Sequence, residues 1–84
     1  MARYKLLFKK SVAKDLRALP KKDVRNILRR TEALAEQPRA AGCKKLSARE
    51  FYRVRQGVYR IIYEILDDQL IVYIIKVAHR SKVY

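Results

Sequence analysis

The sequence predicts an α+β domain: a small antiparallel β-sheet with an N-terminal strand and a helical hairpin packed on one face, in the order β-α-α-β-β-β. Three observations carry that expectation. Apolar residues recur at helical spacing twice between Val12 and Ala35, across a single proline. Three β-rich runs follow from Phe51, separated by two short turn signals. No repeat, low-complexity stretch or linker divides the 84 residues, so residues 1–84 read as one domain.

The elements follow in order. RYKLLFKK alternates as a strand does, with Tyr4, Leu6 and Phe8 on one face. Ser11 has the chemistry of an N-cap, and Val12, Leu16 and Leu19 continue at helical spacing. Pro20 ends that helix or starts the next. From Lys21 to about Glu36 the stripe Val24, Ile27, Leu28, Thr31, Leu34 and Ala35 marks a second helix, stopped by Gln37-Pro38. Residues 39–50 show no period and read as a loop pinned by Leu46. FYRVR, YRIIYEIL and LIVYIIKVA then form a meander, with turns at Gln56-Gly57 and Asp67-Asp68-Gln69.

Composition bounds the function. Half of the residues are hydrophobic, six of them tyrosine, which argues for a real core and against disorder. Twenty-one Lys and Arg face eight Asp and Glu, a net charge of +13 and a pI near 10.3. Self-repulsion of that size favours a polyanionic partner: nucleic acid first, then an acidic protein, then an anionic membrane. The single Cys43 excludes an internal disulfide and a cysteine-based zinc cluster. The longest apolar run is far below the roughly 20 residues of a membrane span, and the basic start lacks the apolar core of a signal peptide. A cytoplasmic protein without a membrane role is expected.

On the strands, Arg53 and Arg55 project together, opposite Tyr52 and Val54. Tyr59, Ile61, Tyr63 and Ile65 form an apolar face whose reverse carries Arg60, Ile62 and Glu64. Ile71, Tyr73, Ile75 and Val77 are expected on one face of the last strand, with Lys76 and Arg80 on the other. A two-residue loop at Gln56-Gly57 sets Arg53 opposite Arg60, and a three-residue loop at Asp67 to Gln69 sets Arg60 opposite Lys76. One face then gathers Arg53, Arg55, Arg60, Lys76 and Arg80. Opposed like charges destabilise a sheet, so such a cluster reads as a polyanion site. Basic residues also keep exposed sheets soluble, which is the simpler reading for the edge pair.

The segment GVYRIIY (Gly57 to Tyr63) and the closing HRSKVY (His79 to Tyr84) resemble RelE-type toxins of the RelE/ParE superfamily of toxin–antitoxin modules. The resemblance spans essentially the whole chain. It implies a metal-independent endoribonuclease that cuts messenger RNA in the ribosomal A site and is silenced by a cognate antitoxin. It implies that Arg53 and Arg55 grip the region of the scissile phosphate. It matches Arg60 and Arg80 to the active-site arginines and Tyr84 to the C-terminal tyrosine. His79 stands where the best-known branch carries lysine, and the stretch from Arg80 to Tyr84 is shorter than in that branch.

RNA cleavage without metal needs a proton acceptor, a charge stabiliser and a proton donor or its substitute. The eight acids are scattered, so no metal site and no cofactor are expected. Arginine is a poor base but suits a phosphorane. Arg60 and Arg80 are therefore expected to stabilise the transition state, while Arg53, Arg55 and Lys76 bind phosphate. Tyr84 orients the 2′-hydroxyl or stacks on a base. His79 alone has an ordinary pKa near 7 and is the catalytic candidate for general base, yet alternation sets it opposite Arg80 unless the strand ends or bulges there. The expected partners are messenger RNA, the ribosome and an antitoxin with an acidic or amphipathic segment. A ParE-like gyrase inhibitor and a non-catalytic RNA-binding module remain the alternatives.

Overall fold

The computed structural model describes residues 3–46 and 51–82. Its order is β1 (Lys5–Phe8), α1 (Lys10–Arg17), α2 (Lys21–Glu36), β2 (Lys44–Lys45), β3 (Phe51–Gln56), β4 (Tyr59–Leu66) and β5 (Ile71–His79). Single 3-10 turns span Asp67–Gln69 and Arg80–Lys82. The five strands form one sheet in the order β1-β5-β4-β3-β2. The architecture is the expected α+β arrangement, with two differences in the sheet. First, β1 runs parallel to β5, so the sheet is mixed. Alternation of side chains has no direction, so the sequence pattern could not distinguish the two pairings. Second, Lys44 and Lys45, expected in a loop, pair with Arg53 and Tyr52.

Helix α1 begins at Lys10, two residues earlier than a Ser11 cap requires. Lys9 occupies the cap position without a side-chain bond, because its ammonium has no acceptor to offer, while its own N–H still belongs to the sheet and donates to the Ile74 carbonyl (2.8 Å). Pro20 precedes α2, where its fixed φ leads into the first turn. Val12, Ile27 and Leu34 of the helices bury against Val54, Tyr59, Ile61, Tyr63, Ile65, Val72, Ile74 and Val77 of the sheet. Tyr4 and Leu6 pack at the margin of this core, whereas Phe8 is exposed.

Register explains which side chains reach the open face. The β3–β4 turn falls at Gly57-Val58, with Gly57 at φ +62, a left-handed conformation that glycine adopts freely. Arg55 therefore stands opposite Arg60, and Arg53 opposite Ile62. The expected pairing of Arg53 with Arg60 is corrected by this displacement. Moving the turn by one residue changes each pairing by two, so every side chain keeps its face.

The β4–β5 ladder holds a larger correction. It shifts between Ile62, opposite Lys76, and Tyr63, opposite Ile74, leaving Ile75 as an extra residue in β5. Arg60 is thus opposite Ala78, not Lys76. The turn before β5 is also one residue longer than expected, Asp67 to Leu70, since Leu66 pairs with Ile71; this inverts the phase of β5 as far as the bulge, which restores it. Val72 and Ile74 enter the core in place of Ile71, Tyr73 and Ile75, while Val77 stays buried as expected. Past the bulge, the Asp15 carboxylate of α1 accepts the Val77 N–H at 3.4 Å.

At the end of the sheet away from the Gly57 turn, polar groups close a clamp. Arg39 donates to both Asp67 oxygens (3.1 and 2.8 Å) and to the Tyr52 hydroxyl (3.1 Å), and Tyr4 donates to Asp67 Oδ1 (2.6 Å). The bonds from Arg39 and then Tyr4 hold the Asp67 carboxyl down at about 2. Tyr52 stacks on Tyr63 with centroids 5.8 Å apart, and the fully buried Tyr63 hydroxyl donates to the Pro38 carbonyl (2.6 Å).

Candidate nucleic-acid interface

The face turned away from the helices carries two cationic rows near the Gly57 turn. Arg55, Arg60 and Ala78 lie side by side across β3, β4 and β5 in the first row. Arg53, Ile62 and Lys76 form the second. Directly opposed side chains on a sheet have Cβ atoms about 5 Å apart, so Arg55 and Arg60 face one another without a separating residue. Ile62 is only 5% exposed although it lies on this face. Its ladder neighbours are cations with long aliphatic stems, the kind that cover an apolar side chain while the charge stays in water.

Arg80 enters from the third side. It opens the 3-10 turn after β5, and its N–H donates to the Val58 carbonyl at 2.7 Å. That bond ties the end of β5 to the tip of the β3–β4 hairpin. Arg60 lies at the centre of the group. Its Nε is buried without a hydrogen-bond partner. Desolvation, and then the fields of Arg53, Arg55 and Arg80, lower its pKa from the usual 12.5. A guanidinium stays charged under such pressure, so the repulsion persists until an anion relieves it.

Acidic groups are used elsewhere among the described residues. The ion pairs join Arg39 to Asp67 (2.8 Å) and Arg3 to Glu36 (4.0 Å), both away from this face. Asp23 accepts from the Tyr59 hydroxyl on the helix side (2.8 Å). Glu64 shares the open face but lies four residues along β4 from Arg60, opposite Phe51 and Tyr73. No group of three or more His, Cys, Asp or Glu suited to a metal ion occurs among the described residues.

The structure therefore brings Arg53, Arg55, Arg60 and Arg80 into one electrostatic field and sets Lys76 on the same face. It does not bring His79 there. His79 is paired with Tyr59 across the β4–β5 ladder, on the helix side, and the two rings meet edge-on at 6.0 Å. His79 Nδ1 accepts the Ser81 N–H (3.2 Å) and lies 2.9 Å from Ser81 Oγ, which leaves Nε2 to carry the proton of the neutral ring. Tyr84 lies outside the described residues.

Two further cations join the interface that the sequence did not indicate. Beyond the β3 edge a cleft of about 470 Å³ is lined by Arg30, Lys44, Arg53 and Arg55 with Gly42, Cys43 and Val54. Arg30 comes from α2 and Lys44 from β2, so only the folded chain brings them together. The one signal within the sequence was the Lys44-Lys45 pair in a segment otherwise read as loop.

The arrangement suits a phosphodiester. Bidentate guanidinium–phosphate pairs are among the strongest charge-assisted hydrogen bonds, and several donors converging on one place favour charge that develops there.

Comparison with known proteins supports the fold and the family. The family described as "ParE toxin of type II toxin-antitoxin system, parDE" matches residues 6–84. A putative RelE-like toxin protein of Escherichia coli is 22% identical over 82 residues, covering 95% of this chain and 86% of that protein. In the crystal structure of the RelBE2 toxin–antitoxin complex of Mycobacterium tuberculosis, the similar chain is 27% identical with a TM-score of 0.84, and the match covers 98% of this chain and 97% of that one. The archaeal RelE–RelB complex of Pyrococcus horikoshii gives 26% identity and a TM-score of 0.82, covering 98% and 100%. With a sequence match over nearly its whole length and the same fold, the chain belongs to the ParE toxin family of type II toxin–antitoxin systems, within the RelE/ParE superfamily.

Proposed function

We propose that the protein is a RelE-type toxin that cleaves messenger RNA in the ribosomal A site without a metal ion. The observation that carries this reading is the unneutralised cluster around Arg60, whose buried Nε has no partner and whose neighbours Arg53, Arg55 and Arg80 all depress its pKa. A structural salt-bridge network has acids within it; a phosphate site waits for its anion.

In this reading the ribose 2′-oxygen attacks the adjacent phosphorus, the bond to the 5′-oxygen breaks, and a cyclic phosphate remains. The 2′-proton passes to a base and the leaving oxygen takes up a proton. Arg60 and Arg80 stabilise charge on the non-bridging oxygens. Arg53, Arg55 and Lys76 hold the strand, and Tyr84 orients the 2′-hydroxyl or stacks on a base. His79, held by Ser81 on the helix side, supports the end of β5, and the ribosome supplies or arranges the proton acceptor. A cognate antitoxin, such as the RelB chains in the complexes of the similar proteins, silences the toxin in the cytoplasm through an acidic or amphipathic segment.

The test is primer extension on a defined message in purified translating ribosomes. Wild type cuts in the A site, Arg80→Ala does not, and Tyr84→Ala is impaired. The family match to ParE toxins favours one other reading, inhibition of DNA gyrase. An intact message together with blocked supercoiling in a gyrase assay establishes that reading and overturns ours.

A further inference from the structure

The arginine face does not stop at the sheet edge. Arg53 and Arg55 belong both to the open face and to the cleft beyond β3, where Arg30 and Lys44 complete a lining that holds four cations and no acid among the described residues. We propose that this cleft is a second phosphate subsite, which holds the backbone phosphate of the RNA strand neighbouring the reacting one. The proposal rests on the RNA-cleaving reading and adds Arg30 and Lys44 to it as positioning residues.

Three features support a built site over a solvated surface. The cleft has the volume of a small-ligand pocket, which runs roughly 300–1,000 Å³, and so admits a nucleotide-sized group. Arg30 is fixed in place without being neutralised: its Nε is buried and unpartnered, and Nη2 reaches the Ala41 carbonyl only at 3.5 Å. The chain also turns close beside that guanidinium: Gly42 has φ +94, which glycine adopts freely, and lies where an added Cβ would be in ordinary contact with Arg30 Nη2 at 3.6 Å.

Continuity identifies the occupant. A second cleft, lined by Asn26, Arg29, Arg30, Ala33 and Gln56, shares Arg30 with the first and continues along α2. A strand laid on the arginine face and turned over the β3 edge therefore meets cations and hydrogen-bonding side chains along its path. Single-stranded RNA presents a phosphate at every nucleotide, which such a series of sites can hold in turn. An acidic peptide carries charge only where its sequence places Asp or Glu, and not in every unit of its backbone.

The experiment measures binding of a labelled 2′-O-methyl oligoribonucleotide, which cannot be cut, over a series of salt concentrations. Arg30→Gln and Lys44→Gln are each compared with wild type and with Lys5→Gln, which lies on β1 at the opposite edge of the sheet. Each cleft variant should bind about 10- to 150-fold more weakly, the loss of one charge-assisted hydrogen bond. Each should also lower the slope of log affinity against log salt by about 0.7, the loss of one phosphate contact on a single strand. Lys5→Gln should match wild type. Lys44 is exposed, so its variant carries the test if Arg30→Gln fails to fold.

Wild-type affinity and slope in both cleft variants overturn the subsite, and leave the proposed function standing if Arg80→Ala still abolishes cleavage. No binding by wild type overturns the subsite, while the proposed function stands or falls with cleavage on ribosomes. If the variants weaken only a glutamate-rich peptide, the cleft belongs to an acidic protein partner and the proposal fails.

Discussion

Arginines at the two ends of this sheet meet opposite treatment. At one end Arg39 donates to both oxygens of Asp67 and to the Tyr52 hydroxyl, and its guanidinium lies 5.4 Å from the centre of the Tyr52 ring. At the other, Arg53, Arg55, Arg60 and Arg80 crowd together with no carboxylate among the described residues to pair with them. The same side chain is a structural clasp in the first place and an unfilled binding site in the second. The three aspartates seen accepting from core elements explain how the chain can be so unbalanced. Asp15 holds a β5 N–H, Asp23 holds the Tyr59 hydroxyl, and Asp67 holds Arg39 and Tyr4. Acids stabilise the fold, and the surplus of cations stays available for an anion.

The comparison can be broken most sharply by activity. Arg80→Ala should lower single-turnover cleavage about 10²- to 10³-fold, the usual loss when one transition-state donor is removed. Arg39→Ala should leave cleavage per folded molecule unchanged. Equal losses in the two variants would erase the distinction between the ends.

Stability should divide the other way. Tyr63→Phe, beside the clamp, removes the bond to the buried Pro38 carbonyl and should cost about 1–3 kcal/mol. Each kcal/mol lowers the melting temperature of a domain this size by about 4–8 °C, as calorimetry would show. Arg80→Ala should melt close to wild type.

The clamp should also respond to acid. Asp67 has a carboxyl depressed from 3.8 to about 2 in the folded protein. Its contribution is therefore complete above pH 3.8 and is lost as the pH falls through about 2. Asp67→Asn should be less stable than wild type at neutral pH, and acid-unfolding profiles of the two should converge across that window. A gap that persists to pH 2 would contradict the assignment. The smallest effect concerns Arg60, where Arg60→Met should raise the melting temperature by removing repulsion and an unpartnered buried Nε.

Much of this organisation was legible in the sequence. The two helices followed from their apolar stripes, and the faces of β3 and β4 followed from alternation. Arg53, Arg55 and Arg60 kept their common face even though the turn lies one residue further on, since such a displacement does not alter the phase. The bulge at Ile75 was not legible. It sits within LIVYII, where no polar residue marks which side chains face out. For the same reason Lys76 could not be set opposite Ile62 in advance. The direction of β1 and the approach of Arg30 to Lys44 depend on contacts between distant segments, which local pattern does not encode. Alternation sets His79 on the side away from the arginine face, where the structure has it, because β5 regains its expected phase, though not its expected partners, after the bulge; its candidacy as the base came from its chemistry and not from its position.

The most direct test is single-turnover cleavage by Arg60→Met on ribosomes programmed with a defined message, read beside its melting temperature. Arg60→Met should cleave at a rate at least about 100-fold below wild type and melt no lower, the signature of a residue kept for its substrate at the expense of the fold. A wild-type rate would contradict it. So would a fall in melting temperature that accounts for the lost activity, since Arg60 would then be a structural residue like Arg39.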